Sequence, residues 1–108
     1  MHHLSHRERI ENVIANSPVD CFPVSFWRHF PVDDQYADRL AKATKTFQDT
    51  FDLDIIKVSP SSSFCLSDWG ARDKWRGNSE GTREYLQPAI KSPEDWIKLK
   101  PLNQLNTQ

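Results

Sequence analysis

Long apolar runs are missing from this chain. No stretch approaches the ~20 apolar residues that a membrane-spanning helix needs. The opening MHHLSHRERIENV has no apolar core of the kind a secretory signal carries. Charge of one sign is lacking too. Fourteen basic side chains against 15 acidic ones leave −1 overall, so there is no basic footprint for nucleic acid and no polybasic membrane anchor. There are two cysteines, Cys21 and Cys65, and they form no CxxC pair. They read as separate reduced thiols of a cytoplasmic protein. Glycine is scarce: all three, Gly70, Gly77 and Gly81, fall between residues 59 and 84. RGNSEG has a GxxxG spacing but lacks the Lys-Ser/Thr of a phosphate-binding loop, so these glycines read as turns.

With 108 residues and an apolar fraction of 37%, the chain is one domain at most and its core is thin. His2, His3 and His6 have no acidic or cysteine partner at a zinc-like spacing. They read as a mobile terminus, and no metal site is expected.

The first predicted element is a helix. SHRE supplies a capping box, with Ser5 as N-cap and Glu8 three residues on. Ile10, Val13 and Ile14 follow at helical spacing, and NSP at 16–18 ends it. CFPVSFW then reads as a strand covered on both faces. Asp33 or Asp34 is placed to cap a second helix, whose apolar stripe is Tyr36, Leu40, Ala43 and Phe47. DLDIIKVSP reads as the next strand, ended by Pro60. Strand, helix and strand, about thirty residues from strand to strand, predict a parallel βαβ unit.

Residues 59–84, rich in serine and holding Trp69 and Trp75, read as a long structured loop. The tryptophans are expected to pack there rather than stack on a ligand. SPEDW opens a last helix, with Ser92 as cap and Pro93 at the first helical position. Trp96 and Leu99 form its apolar face, and the polar tail NQLNTQ is expected to fray.

One βαβ unit leaves two open sheet edges and cannot cover both of its faces. The residues therefore read as the beginning of a larger α/β domain. A small α+β domain with TREYL as a third strand is the alternative.

RERIENVI, PVSFW, FDLDIIKVSP and DWGARDKWRGNSEGTREYLQPAIKSPEDWIKL, as an ordered set, resemble the start of the uroporphyrinogen decarboxylase superfamily. The likeness runs from about Arg7 to Leu102 and is nearest to that family's bacterial members outside the haem pathway. It implies α/β architecture, the opening portion of a (β/α)8 TIM barrel, with residues 1–108 as an incomplete part of one barrel domain. It implies a lyase of porphyrin biosynthesis that removes acetate carboxylates from a tetrapyrrole, without metal or organic cofactor. A fragment of this kind would be inactive alone, and its full-length parent would be a candidate homodimer. The implied substrate is a small carboxylate-bearing molecule, with no nucleic-acid or membrane partner.

Arginines hold the substrate carboxylates in that family, because a guanidinium pairs with a carboxylate through two parallel hydrogen bonds. Its first loop carries an RxxxR pattern. Here WRHFPVD keeps the first arginine as Arg28 and has Val32 at the second. The family aspartate that binds pyrrole N–H groups falls at Ser59, and no carboxylate lies from Ile55 to Leu66. Serine cannot supply the negative charge that stabilises a protonated pyrrole. The alternative is the corrinoid-dependent methyltransferase branch, which uses zinc held by histidine and cysteine beyond residue 108, together with a corrinoid-linked substrate. A stand-alone interaction module is the reading from another class.

The predicted substrate-binding residues are Arg28, His29, Lys57 and Ser59. Arg28 either grips an anion or pairs with Asp33 or Asp34. His29 is a proton donor, a ligand or a solvated loop residue. Lys57 is a pocket cation or a partner of Asp54.

Overall fold

The structure is a computed structural model, and it describes residues 2–103. Three helices are present: α1 (His6–Ile14), α2 (Ala37–Phe51) and α3 (Asp95–Lys98). The sheet has two strands, β1 (Arg72–Trp75) and β2 (Arg83–Gln87).

Helix α1 starts as its sequence requires. The Ser5 hydroxyl accepts from the Glu8 N–H, and the Glu8 carboxylate accepts from the Ser5 N–H at 2.8 Å. Helix α2 does not start at an aspartate. Asp33–Gln35 instead forms a single 3-10 turn, and Tyr36 precedes α2 without a side-chain cap. Asp52 ends α2 in the left-handed conformation, φ 49°. At α3 the expected cap is reversed: the Asp95 carboxylate accepts from the Lys91 and Ser92 N–H groups at 2.9 and 3.0 Å. Ser92 therefore donates through its backbone, and the helix begins two residues later than Pro93. Trp96 stays 65% exposed, so the expected apolar face of α3 is uncovered.

The two predicted strands, CFPVSFW and DLDIIKVSP, are extended but carry no ladder. One backbone hydrogen bond joins them, Asp54 N–H to Val24 C=O at 2.9 Å. The Asp54 carboxylate then takes the Val24 N–H at 2.7 Å, a donor that a strand partner's carbonyl would otherwise accept. The expected parallel βαβ unit is therefore corrected, and with it the opening portion of a (β/α)8 barrel. The sheet found among the described residues is an antiparallel hairpin.

That hairpin lies where a long loop was expected. Its register pairs Asp73 with Tyr85, Lys74 with Glu84 and Trp75 with Arg83. The period of two is weak because Arg72, Lys74 and Glu84 are polar and the strands are short. TREYL supplies β2, and the turn between the strands uses Gly77 at φ 91° and Gly81 at φ 79°. Trp69 and Trp75 are half-buried, and Trp75 Nε1 donates to the Asn78 carbonyl at 2.7 Å.

The core is thinner than the composition suggests. Leu53 is the buried hydrophobic residue among those described. Phe26, Phe30, Phe47 and Phe51 form an edge-to-face cluster on α2, with centroids 4.7–5.9 Å apart. Yet Phe26 and Phe51 remain 43% and 50% exposed. The radius of gyration is 19.1 Å, against about 13 Å for a compact chain of this length. Among the described residues no helix is long and apolar enough to cross a membrane. The polar tail lies, from residue 104 on, outside the described residues.

Candidate functional site

Two extended segments, 24–29 and 54–59, run side by side in the same direction with a constant offset of thirty residues. Val24 meets Asp54 through the backbone. The Ser25 hydroxyl donates to the Ile55 carbonyl at 2.8 Å. Two residues on, the Lys57 ammonium sits 3.7 Å from the centroid of the Trp27 ring, a cation–π contact. The same offset sets Ser59 at the register position of His29.

Alternation along 26–30 separates the two residues that the sequence placed together. Phe26 and Phe30 turn toward Phe47 of α2. Arg28 goes with them: its guanidinium lies 5.5 Å from the Phe30 centroid, and its Nε donates to the His29 carbonyl at 3.2 Å. Trp27 and His29 turn the other way and meet edge to face at 5.5 Å. Arg28 is exposed and stands apart from the group that forms around His29.

That group is Trp27, His29 and Lys57, with the hairpin against His29; Ser59 lies two residues beyond Lys57 on the same segment. Gly81 lies so close to the His29 side chain that a Cβ on it would be 2.7 Å from His29 Cβ. His29 Nδ1 and Ser59 Oγ are both buried with no hydrogen-bond partner among the described residues. A buried polar atom left without a partner costs about 1–3 kcal/mol. Each such atom is therefore a place where an acceptor or donor from outside the chain is favoured. Lys57 does not pair with Asp54, which is already engaged by Arg9, His6 and the Val24 N–H.

Behind Gly81 stands Arg83, which the sequence reading passed over. Its side chain is 7% exposed and lies 2.9 Å from Asp73 Oδ1. The Nε is poorly aligned for a hydrogen bond there, and Nη1 has no partner among the described residues. Asp73 also accepts from the Ser63 hydroxyl. Ser59, Ser61 and Ser63 are all buried, which makes the serine run an inward-facing wall rather than a solvated loop. The signal in the sequence was weak, since nothing in TREYL distinguishes a buried arginine from a surface one.

A second polar cluster holds the amino-terminal helix. Arg9 Nε and Nη2 pair with Asp20 at 2.8 and 3.0 Å, Nη1 reaches Asp54, and Nη2 also donates to the Leu4 carbonyl. The guanidinium holds Asp20 well below the ordinary carboxylate range. Asp54 is lowered to about 2, first by the Val24 N–H and then by His6. His6 meets Asp54 and Asp52 at 2.9 and 3.0 Å, so the expected mobile terminus is corrected at this histidine. Asp54 is thus shared: it fixes α1 and starts the register that ends at Lys57 and Ser59.

Cys21 and Cys65 are free and exposed. Among the described residues no three His, Cys, Asp or Glu side chains come together to hold a metal ion. No family model, no curated protein and no solved structure matches the chain.

Proposed function

We propose that this chain is part of a uroporphyrinogen decarboxylase-like enzyme, inactive by itself, in which His29, Lys57 and Ser59 receive a carboxylate of the substrate. The observation that carries the reading is the offset of thirty. It lines up Trp27 with Lys57, and His29 and Ser59, further along the same two segments, each carry a buried polar atom without a partner among the described residues. The ordered likeness of RERIENVI, PVSFW, FDLDIIKVSP and the later run to that family supplies the reaction class.

The arrangement holds a carboxylate but does not remove one. Loss of CO2 leaves an electron pair that must be delocalised and then protonated. Ser59 brings no negative charge to steady a protonated pyrrole. This part of the site therefore orients substrate, and the proton-transfer groups come from other residues. The same reading places the protein in the cytoplasm, with Cys21 and Cys65 reduced.

The corrinoid-dependent methyltransferase reading has no observation in its favour here, since the zinc ligands it implies lie beyond residue 108. The interaction-module reading has an observation in its favour. Large apolar side chains such as Ile55, Ile56 and Val58 are about half exposed and suit a partner surface. Against it stands Leu53 as the single buried apolar residue among those described, which is a poor basis for an independently stable module.

The test uses mellitate, a small polycarboxylate without an apolar surface, titrated into the full chain while tryptophan emission is followed. Trp27 reports on Lys57, so a saturable change is expected, and Lys57→Met is expected to abolish it while Arg28→Ala leaves it in place. Equal responses from the parent chain and Lys57→Met would remove these residues from any carboxylate site.

A further inference from the structure

The two ring nitrogens of His6 face two different carboxylates. Nδ1 lies 2.9 Å from Asp54 Oδ1, and Nε2 lies 3.0 Å from Asp52 Oδ1. A neutral imidazole has one N–H and one lone pair. It can donate to one of these carboxylates and must present its lone pair to the other. The imidazolium, with two N–H groups, donates to both. Asp52 is the left-handed residue that closes α2, and Asp54 follows two residues later. The ring therefore grips both sides of the turn at which α2 gives way to the extended segment of the candidate site.

Helix α1 depends on this kind of contact. Val13 and Ile14 are 45% and 80% exposed, so apolar burial contributes little to its docking. With His6, Arg7 and Ile10, α1 walls one side of a hollow whose other side is Leu53, Ile55 and Ile56. What ties the two walls is charge, through His6 and Arg9.

We propose that His6 is a proton-operated clasp: doubly protonated, it bridges Asp52 and Asp54 and holds α1 over the hollow, and on losing a proton it lets one carboxylate go.

The charged surroundings favour release at Asp52. Arg9 also contacts Asp54 and is held in turn by Asp20, so Asp54 keeps a cation when His6 is neutral. Asp52 makes no other ion pair among the described residues. On α1 itself, Arg7 is paired with Glu11 at 3.3 Å, and Glu8 is committed to Ser5. From the segment before α1, His3 lies 3.7 Å from Asp20. No neighbour is thus placed to replace the ring at Asp52. The two carboxylates, Asp54 foremost, raise the His6 pKa above its ordinary 6.5. A raised value in the docked state means that the stabilisation is complete below the ordinary value and is lost as pH rises through the raised one.

The experiment is nuclear magnetic resonance of the full chain, following the ring signals of its four histidines and the amide exchange of α1 across pH 5 to 9. Both His6 nitrogens are expected to be protonated at pH 6, and His6 is expected to titrate above the ordinary histidine value of 6.5. Protection of the α1 amides should then fall, by up to about tenfold for each unit of the rise in pKa. Asp52→Asn keeps the ring and the Arg9 pairs, and it is expected to lower the His6 pKa. His6→Gln is expected to remove the pH dependence of α1 protection. The proposal is overturned if His6 titrates at or below the ordinary histidine value, if Asp52→Asn leaves its titration unmoved, or if α1 protection is the same on both sides of that titration.

Discussion

Arg9 and Asp20 meet end on, Nε to Oδ1 at 2.8 Å and Nη2 to Oδ2 at 3.0 Å. This bidentate pair is buried, with side chains 5% and 10% exposed. Its third arm reaches Asp54. One guanidinium thus joins α1, the residues that follow it and the turn after α2.

Arg9→Lys keeps the charge and discards the fork. An ammonium can serve Asp20 or Asp54 with good geometry, but not both carboxylates and the Leu4 carbonyl together. Limited proteolysis is expected to cut the variant within residues 2–20 faster than the parent chain. Equal cleavage rates would mean that the fork is dispensable.

Acid should undo the same region from the other side. Asp54 is lowered from its ordinary 3.8 to about 2. A lowered carboxylate stabilises the fold above its ordinary value and loses that contribution as pH falls through the lowered one. Protection of the α1 amides is therefore expected to decline between about pH 4 and pH 2. In Asp54→Asn that decline should be shallower but still present, because the Asp20 carboxylate, also held well below its ordinary range by Arg9, loses its contribution over the same window.

Gly81 and Gly77 make a discriminating pair. Both sit at positive φ, 79° and 91°, where a Cβ costs about 1–2 kcal/mol. A Cβ at Gly77 meets nothing within 4 Å, whereas one at Gly81 meets the His29 side chain at 2.7 Å. Gly77→Ala is expected to lower hairpin amide protection about tenfold, the equivalent of 1.4 kcal/mol. Gly81→Ala should lower it further and also shift Trp27 emission, since Trp27 contacts His29. The contact between His29 and the hairpin is refuted if the two variants behave alike.

The exposed apolar surface predicts how the isolated chain behaves. With Leu53 as its buried apolar residue, the chain is expected to bind the dye ANS at neutral pH without denaturant. It should unfold over a broad range of temperature rather than in a sharp step. A sharp, cooperative melt of a monomer would instead support the interaction-module reading.

What could be read in the residues was local. The capping box of Ser5 and Glu8 and the stripe that makes α2 depend on neighbours three or four positions away, and both appear. The spacing of about thirty between the two extended segments was also legible, because it counts residues along one chain. Local chemistry failed where two groups competed for the same backbone. Asp95 reached back to the Lys91 and Ser92 N–H groups where Ser92 was expected to cap, and Asp54 took the Val24 N–H that a strand ladder needed.

By itself the sequence determined the start of α1, the free thiols, the near-neutral charge and the thinness of the core. These follow from composition and short-range spacing. Tertiary structure alone decided that Phe26 and Phe30 meet Phe47 of α2 while Trp27 meets Lys57 and His29, that Arg83 is buried, and that His6 bridges two aspartates 46 and 48 residues away. The physical reason is that burial and ion pairing depend on which distant segments meet, and a polar residue carries no mark in the sequence of the partner it will find.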